Sequence, residues 1–190
     1  FISLICAVGL NTARSQSSLT VSGGLPLSYG HVAFDRAYLF EVSYTYRPND
    51  RSGFGLGLSH VKSDLPKEGT LLTYDRVSTN FYLLYNYRLS LASQLSLLPE
   101  VQLGYAFVEG QISQLSNLTE KASGVFMGVD LSLLYLIGNN LEGLVGVGYN
   151  HVFDKYELGE YVLPAIYIRG NDGAADFFKF KLGLIYNFGL

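Results

Sequence analysis

The sequence predicts an all-β fold, an eight-stranded antiparallel up-and-down transmembrane β-barrel. Three observations lead to this prediction. Large apolar residues alternate with small or polar ones in eight segments, the connections between these segments are alternately short and long, and the composition is 48% hydrophobic but only 15% charged. Because an average soluble domain is about 25% charged, this chain offers water an unusually small polar surface.

The alternating segments follow an apolar N-terminal run and continue to the end of the chain. In the second segment, Tyr38 and Phe40 lie on one face and Glu41 on the other. The fourth, fifth, sixth and eighth segments alternate in the same way. The third and seventh contain the glycine alternations GLGLS and GVGYN, which place small residues on one face. Strands are therefore predicted at residues 17–28, 36–47, 53–63, 74–89, 94–109, 122–137, 141–154 and 175–189.

The connections indicate which ends of the strands lie together. Short turns are predicted between strands two and three, four and five, and six and seven, at Arg47–Ser52, Ser90–Ser93 and Gly138–Asn140. Longer, more polar loops are predicted near residues 29–35, 64–73, 110–121 and 155–174. Alternate connections of an up-and-down barrel fall at the same end. One end therefore carries the turns and both termini, and the other carries the long loops.

The two faces of the strands differ in a way that favours a lipid-facing outside. A β-sandwich or a lipocalin-like barrel also alternates, but such strands average about five or six residues, and a lipocalin turns its apolar face inward. Here the face with the small residues also carries the charges, and such a face suits the crowded inside of a narrow barrel. Because an isolated buried charge is costly, the charges are expected to pair. The predicted lumen charge network consists of Glu41, Arg76, Arg88, Glu100, Asp130, Glu142, Lys179 and Lys181.

The N-terminus is predicted to be a signal peptide, residues 1–15, truncated at its start and followed by the barrel domain, residues 16–190. The first ten residues, FISLICAVGL, form an apolar run that is too short to span a bilayer. Small residues at Ala13 and Ser15 precede the predicted cleavage before Gln16. Cys6 is the only cysteine, so no disulfide and no cysteine-based metal site is expected in the barrel.

Over residues 16–190 the chain resembles the small outer-membrane β-barrel family of Gram-negative bacteria, the OmpA/OmpX-like barrels. The resemblance rests on the signal segment, the eight strands, the alternation of connections and the last strand, FKFKLGLIYNFGL. That strand resembles the C-terminal insertion signal of the family, although the family usually ends on Phe and the last Phe here is Phe188. The residues of this predicted signal are Phe180, Leu182, Leu184, Tyr186, Phe188 and Leu190.

The resemblance implies a bacterial outer-membrane location and a set of partners. These are outer-membrane lipids and lipopolysaccharide, and the barrel-assembly machinery during insertion; the protein is expected to be a monomer. No nucleic acid is expected as a partner, because the net charge of −3 gives no basic surface for it. No cofactor and no metal site is expected.

The sequence contains few candidate catalytic groups. The predicted barrel contains His31, His60 and His151. Outer-membrane lipid A deacylases carry a His-x-Ser motif, but Lys62 follows His60 at that spacing and Phe153 follows His151. No nucleophile with a nearby base is apparent, so the chain is not expected to be an enzyme.

The expected function is therefore a non-enzymatic integral outer-membrane barrel with an envelope-structural or surface-interaction role. Its lumen is expected to be polar and salt-bridged. Its extracellular loops are expected to be acidic, because the long connections and their flanks hold more acidic than basic residues. The alternatives are a narrow, porin-like conduit or a barrel enzyme that modifies lipid A, and, more remotely, a soluble lipocalin-like barrel.

Overall fold

Eight antiparallel strands pair in sequence order, and the last pairs with the first to close a barrel. The computed structural model describes residues 16–27, 36–66, 73–112, 119–154 and 177–188. Within these residues no helix is long and apolar enough to cross a membrane. The strands are β1 (Gln16–Leu27), β2 (Arg36–Arg47), β3 (Ser52–Pro66), β4 (Thr73–Tyr87, continued after Arg88 by Leu89–Ser90), β5 (Leu95–Ile112), β6 (Thr119–Leu136), β7 (Leu141–Asp154) and β8 (Phe177–Phe188).

The register of the pairs tilts the strands in the barrel wall. Stepping from Ser17 to its partner on β2, and from partner to partner around the barrel, leads back to β1 at Leu27, ten residues further along. A closed sheet with such a stagger has strands inclined to the barrel axis, typically by about 35–45°. The inclination lets residues from different strands meet at one height inside.

Short turns join the strands at one end of the barrel, as predicted. In the turn between β2 and β3, the side-chain Oδ1 of Asn49 accepts hydrogen bonds from the backbone N–H groups of Arg51 (2.9 Å) and Ser52 (2.7 Å). Asparagine favours turns because its side chain can bond the backbone two or three residues on. The N-terminus of β1 lies at this turn end, since Gln16 is opposite Arg47.

At the other end, called the loop end, four strands run further than predicted. Residues 64–66 belong to β3, residue 73 to β4, 110–112 to β5 and 119–121 to β6, although the sequence predicts loops there. The apolar alternation fades at these positions, but the backbone pairing continues: Glu109 faces Lys121, with 3.2 Å between their charged atoms. The predicted loops at 29–35 and 155–174, and the predicted signal peptide, lie outside the described residues.

The two faces of the sheet are sharply different. On β6, the side chains of Val125, Met127 and Val129 are 45–51% exposed, whereas Phe126 is fully buried and Asp130 is 5% exposed. Because successive side chains of a strand point to opposite faces, the buried set forms the barrel interior and the exposed set forms its outer surface.

The interior is layered along the barrel. On β6 the order from the turn end is Leu134, Asp130, Phe126, and all three are buried. On β8 the corresponding order is Ile185, Lys181, Lys179 and Phe177. The described interior thus contains apolar layers that the sequence analysis did not predict. The cluster near the turn end is Leu98, Leu134, Leu144 and Ile185. The cluster that reaches the loop end is Tyr82, Leu84, Ala106, Val108, Phe126 and Val152.

Candidate functional site

Four charged side chains, called the four-charge cluster below, meet in the middle of the interior. Lys179 Nζ lies 2.7 Å from Glu41 Oε1 and 3.0 Å from Asp130 Oδ1. Lys181 Nζ lies 3.3 Å from Glu41 Oε2 and also pairs with Asp130 Oδ2. All four residues are at most 5% exposed. Each lysine therefore bridges both carboxylates, which balances two positive and two negative charges where an unpaired charge would be costly.

Glycines on the neighbouring strand make room for these lysines. Lys179 lies opposite Gly148 of β7, and Lys181 lies opposite Gly146. A Cβ atom on Gly148 would overlap Asp130 Oδ1 and would come within 2.7 Å of Lys179 Cε. The glycine alternation of β7 thus provides the space in which the four-charge cluster assembles.

A further carboxylate, Glu100, lies beside the four-charge cluster. In the described part of the chain its hydrogen-bond donors are amides: Gln102 Nε2 donates to Oε1 at 2.8 Å, and Asn86 Nδ2 donates to Oε2 at 3.1 Å. Gln102 Nε2 also lies 3.2 Å from Asp130 Oδ2. The amide of Gln102 therefore links Glu100 to the four-charge cluster.

A second charged group lies near the turn end. Arg88 Nη2 donates to Glu142 Oε2 at 2.5 Å, and Arg47 Nη1 donates to Ser18 Oγ at 2.8 Å. Arg47 is only 2% exposed. Arg47 was predicted to share the face of the second strand that carries Glu41, but it was not included in the predicted charge network.

The structure describes the side chains of seven of the eight predicted network residues. Arg76 is in β4, opposite Ser63, but its side chain lies outside the described part. With Arg47 added, the described interior holds four acids and four bases. The seven are Glu41, Arg88, Glu100, Asp130, Glu142, Lys179 and Lys181, of which Arg88 and Glu100 are partly exposed and the others are buried.

Little free space is left beside these groups. A cavity of about 10 Å³ is lined by Glu41, Glu100, Lys181 and Tyr82, among others. This is about the room that one water molecule needs. The side chains around this cavity are therefore closely packed, and an eight-stranded barrel is narrow enough for side chains to fill it.

The outer surface carries a continuous belt of large apolar side chains. Its middle is aliphatic and its two edges are rich in Tyr and Phe, the arrangement of a membrane-facing band with interfacial aromatic rings. The middle includes Val21, Leu56, Leu83, Val101, Leu103, Val129, Leu131, Val145, Val147, Leu182 and Leu184. The edge at the turn end includes Tyr44, Tyr46, Phe54, Tyr85, Tyr135, Tyr186 and Phe188, and the edge at the loop end includes Tyr38, Phe40, Phe81, Tyr105, Phe107, Phe153 and Phe178.

The predicted insertion signal lies on this outer surface. Its members in β8 are 36–53% exposed, and β8 closes the barrel against β1, where Phe188 is opposite Ser17. Leu190 lies outside the described residues. The role of these residues in insertion stays a prediction.

Candidate catalytic or metal-binding groups are sparse. Across the described strands and turns, no three His, Cys, Asp or Glu residues are arranged to hold a metal ion. His60 and His151 both lie on outward-facing positions. His60 Nδ1 is 3.2 Å from Thr79 Oγ1. The His151 ring packs edge-on against the Phe153 ring, with 3.9 Å between the ring centroids. His31 lies outside the described residues.

Solved structures of small outer-membrane barrels are similar to this chain. Ail, the attachment invasion locus protein of Yersinia pestis, matches with a TM-score of 0.55 at 13% identity, over 92% of this chain and 98% of Ail. The N-terminal β-barrel domain of Pseudomonas aeruginosa OprF matches with a TM-score of 0.55 at 13% identity, over 93% of this chain and 100% of the OprF domain. Neisserial surface protein A matches with a TM-score of 0.56 at 10% identity, over 92% of this chain and 97% of the Neisserial protein. No protein-family model and no curated protein matches the sequence.

The closed antiparallel barrel, the apolar outer belt and these neighbours define one class of fold. The chain has the fold of the small eight-stranded transmembrane barrels of bacterial outer membranes.

Proposed function

We propose that this protein is an integral outer-membrane barrel that holds the segments between its strands at the membrane surface, without catalysis and without an open pore. The observation that carries the proposal is the apolar belt. Folded monomers in water rarely expose an apolar patch larger than a few hundred Å², and this belt runs around the whole barrel. Acyl chains are the surroundings in which such a surface is stable.

The packing of side chains in the middle of the barrel supports a scaffold rather than a conduit. Charged side chains pair across the middle of the barrel, and apolar layers lie on both sides of them. An ion that crossed would have to leave its water shell at each apolar layer, which is costly. The same interior argues against a lipocalin-like carrier, because the large apolar set faces outward and the charges face inward.

A surface-interaction role is supported only by the shared fold. One similar structure is that of Ail in complex with the heparin analogue sucrose octasulfate, and another is that of a surface protein of Neisseria. The name of the first protein refers to attachment and invasion, and that of the second to a surface location. For this chain we propose a role of the same kind, carried by the connections at the loop end.

Reconstitution tests the proposal. The barrel should fold in detergent or lipid vesicles and aggregate without them, and it should fractionate with outer membranes when it is expressed in a Gram-negative host. In planar bilayers it should give no steady conductance, with an open porin as the positive control. Lipid A from cells with and without the protein should have the same mass spectrum.

Three results would contradict the proposal in different ways. A detergent-free monomer would remove the membrane assignment. A steady conductance would favour the conduit, and altered lipid A would favour the enzyme.

A further inference from the structure

We propose that a polar patch on the outer surface of the barrel binds the anionic, phosphate-bearing headgroup of a membrane lipid. The inference rests on the proposed function, because it requires the outer surface to lie in a bilayer. The patch, called the His60 patch below, consists of Tyr38 on β2, His60 and Lys62 on β3, and Thr79 on β4.

The strand register holds these four side chains together. Tyr38 is directly opposite Lys62, and His60 is directly opposite Thr79. Opposite residues on one face have Cβ atoms about 4.5–5.5 Å apart, and His60 and Lys62 share that face because they are two residues apart. The rings of Tyr38 and His60 lie 6.2 Å apart, and His60 Nδ1 is 3.2 Å from Thr79 Oγ1.

The position of the patch within the belt suggests what it contacts. Toward the middle of the barrel, the next outward-facing neighbours are Phe40, Leu58 and Phe81, all of them apolar and 39–53% exposed. Lys62 lies one step nearer the loop end than His60. A cation at the edge of an apolar belt reaches the layer of lipid headgroups, where anions are available to it.

The donors of the patch fit a phosphate group. The Lys62 ammonium supplies positive charge and three N–H donors, and the Tyr38 hydroxyl adds another. If the Thr79 hydroxyl donates to His60 Nδ1, the His60 proton resides on Nε2, which can then donate to an anion. Charge-assisted bonds of this kind are the strong ones in phosphate recognition.

The other lysine described on the outer surface near the loop end is already paired, which sets Lys62 apart. Lys121, also near the loop end, lies 3.2 Å from the carboxylate of Glu109. By contrast, no carboxylate whose side chain the structure describes forms an ion pair with Lys62. An anionic headgroup would supply a negative charge to Lys62, so Lys62 is the residue on which the site depends most.

Lipid retention tests the site. The full barrel is reconstituted in phosphatidylcholine bilayers with and without lipopolysaccharide, extracted into mild detergent, and analysed by native mass spectrometry for lipid that stays bound. Lys62→Met and His60→Leu are compared with Lys121→Met, a matched control that removes a cation already paired. Losing one charge-assisted contact should reduce retention about tenfold in Lys62→Met, less in His60→Leu, and little in Lys121→Met.

Three outcomes would overturn the inference: unchanged retention by Lys62→Met, an equal loss in Lys121→Met, or equal retention of dephosphorylated lipopolysaccharide by the parent. Binding of inorganic phosphate to the parent without any retained lipid would assign the site to a free anion instead and would overturn the lipid assignment. Heat-shifted gel mobility verifies that each variant is folded. A parent chain that does not enter bilayers would contradict the proposed function, whereas insertion with unselective retention would contradict only the His60 patch.

Discussion

Asp130 is the residue on which the interior charges converge. It pairs with both lysines of the four-charge cluster and accepts a hydrogen bond from Gln102. In Asp130→Ala, two buried ammonium groups share the single carboxylate of Glu41. Removing one partner of a buried ion pair costs about 3–5 kcal/mol, so we expect a loss of that order in the free energy of unfolding, measured by urea titration in detergent micelles.

The control for this prediction is Glu109→Ala. Glu109 also pairs with a lysine, but both side chains are more than half exposed, and exposed pairs contribute about 0–1 kcal/mol. Equal stability of Asp130→Ala and the parent would show that the cluster does not hold the barrel together.

A single added carbon atom at Gly148 should disturb the same cluster. A Cβ there would overlap Asp130 Oδ1, and the carboxylate cannot move without lengthening its contacts with the lysines. Overpacking of this kind costs about 1–3 kcal/mol, so Gly148→Ala should lower the urea midpoint. Gly23→Ala is the matched control, because its Cβ would meet nothing closer than Leu39 O at 3.7 Å. If both variants unfold at the same midpoint, the space at Gly148 is not needed.

At the scale of the strands, the sequence predicted the faces better than the ends. Period-2 alternation is a local property, so it placed Glu41 and Lys181 on the inner face without knowledge of the fold. Strand ends at the loop end were misplaced, because the alternation fades where polar residues begin although pairing continues, as between Glu109 and Lys121. The apolar inner layers were also missed: a buried Phe126 and an exposed Met127 look alike in a sequence window.

Leu83 tests which face of β4 meets lipid. Its side chain is 62% exposed in the middle of the belt, whereas Leu84 beside it is 4% exposed. Arginine at the bilayer midplane costs about 2–4 kcal/mol and much less near the interface. Leu83→Arg should therefore destabilise the barrel in lipid vesicles by about that amount, and Tyr46→Arg, at the turn-end edge, by about 0–1 kcal/mol. Equal unfolding curves for the two variants would mean that Leu83 does not lie deeper in the bilayer than Tyr46.

At the scale of the whole molecule, barrel closure was predictable because eight alternating segments and an even strand number leave no sheet edge unpaired. The partners of individual charges were not. Lys179 on β8 meets Glu41 on β2 only because the ten-residue stagger brings distant stretches of chain to one height, and the stagger depends on every pair around the barrel. This is why the alternation could place Glu41 and Lys179 on the inner face but could not show which charges pair.

The asymmetry between the two ends of the barrel predicts its orientation in the membrane. The connections β2–β3, β4–β5 and β6–β7 are short turns, and short turns of outer-membrane barrels face the periplasm. Single cysteines at Ser93 and Asn139, in exposed turns, should therefore not react with a membrane-impermeant maleimide on intact cells, whereas a cysteine at Asn117, between β5 and β6, should. Permeabilised cells provide the control, since all three sites should then be labelled. Labelling of Ser93→Cys and Asn139→Cys alone on intact cells would invert the orientation and would place the His60 patch in the inner leaflet.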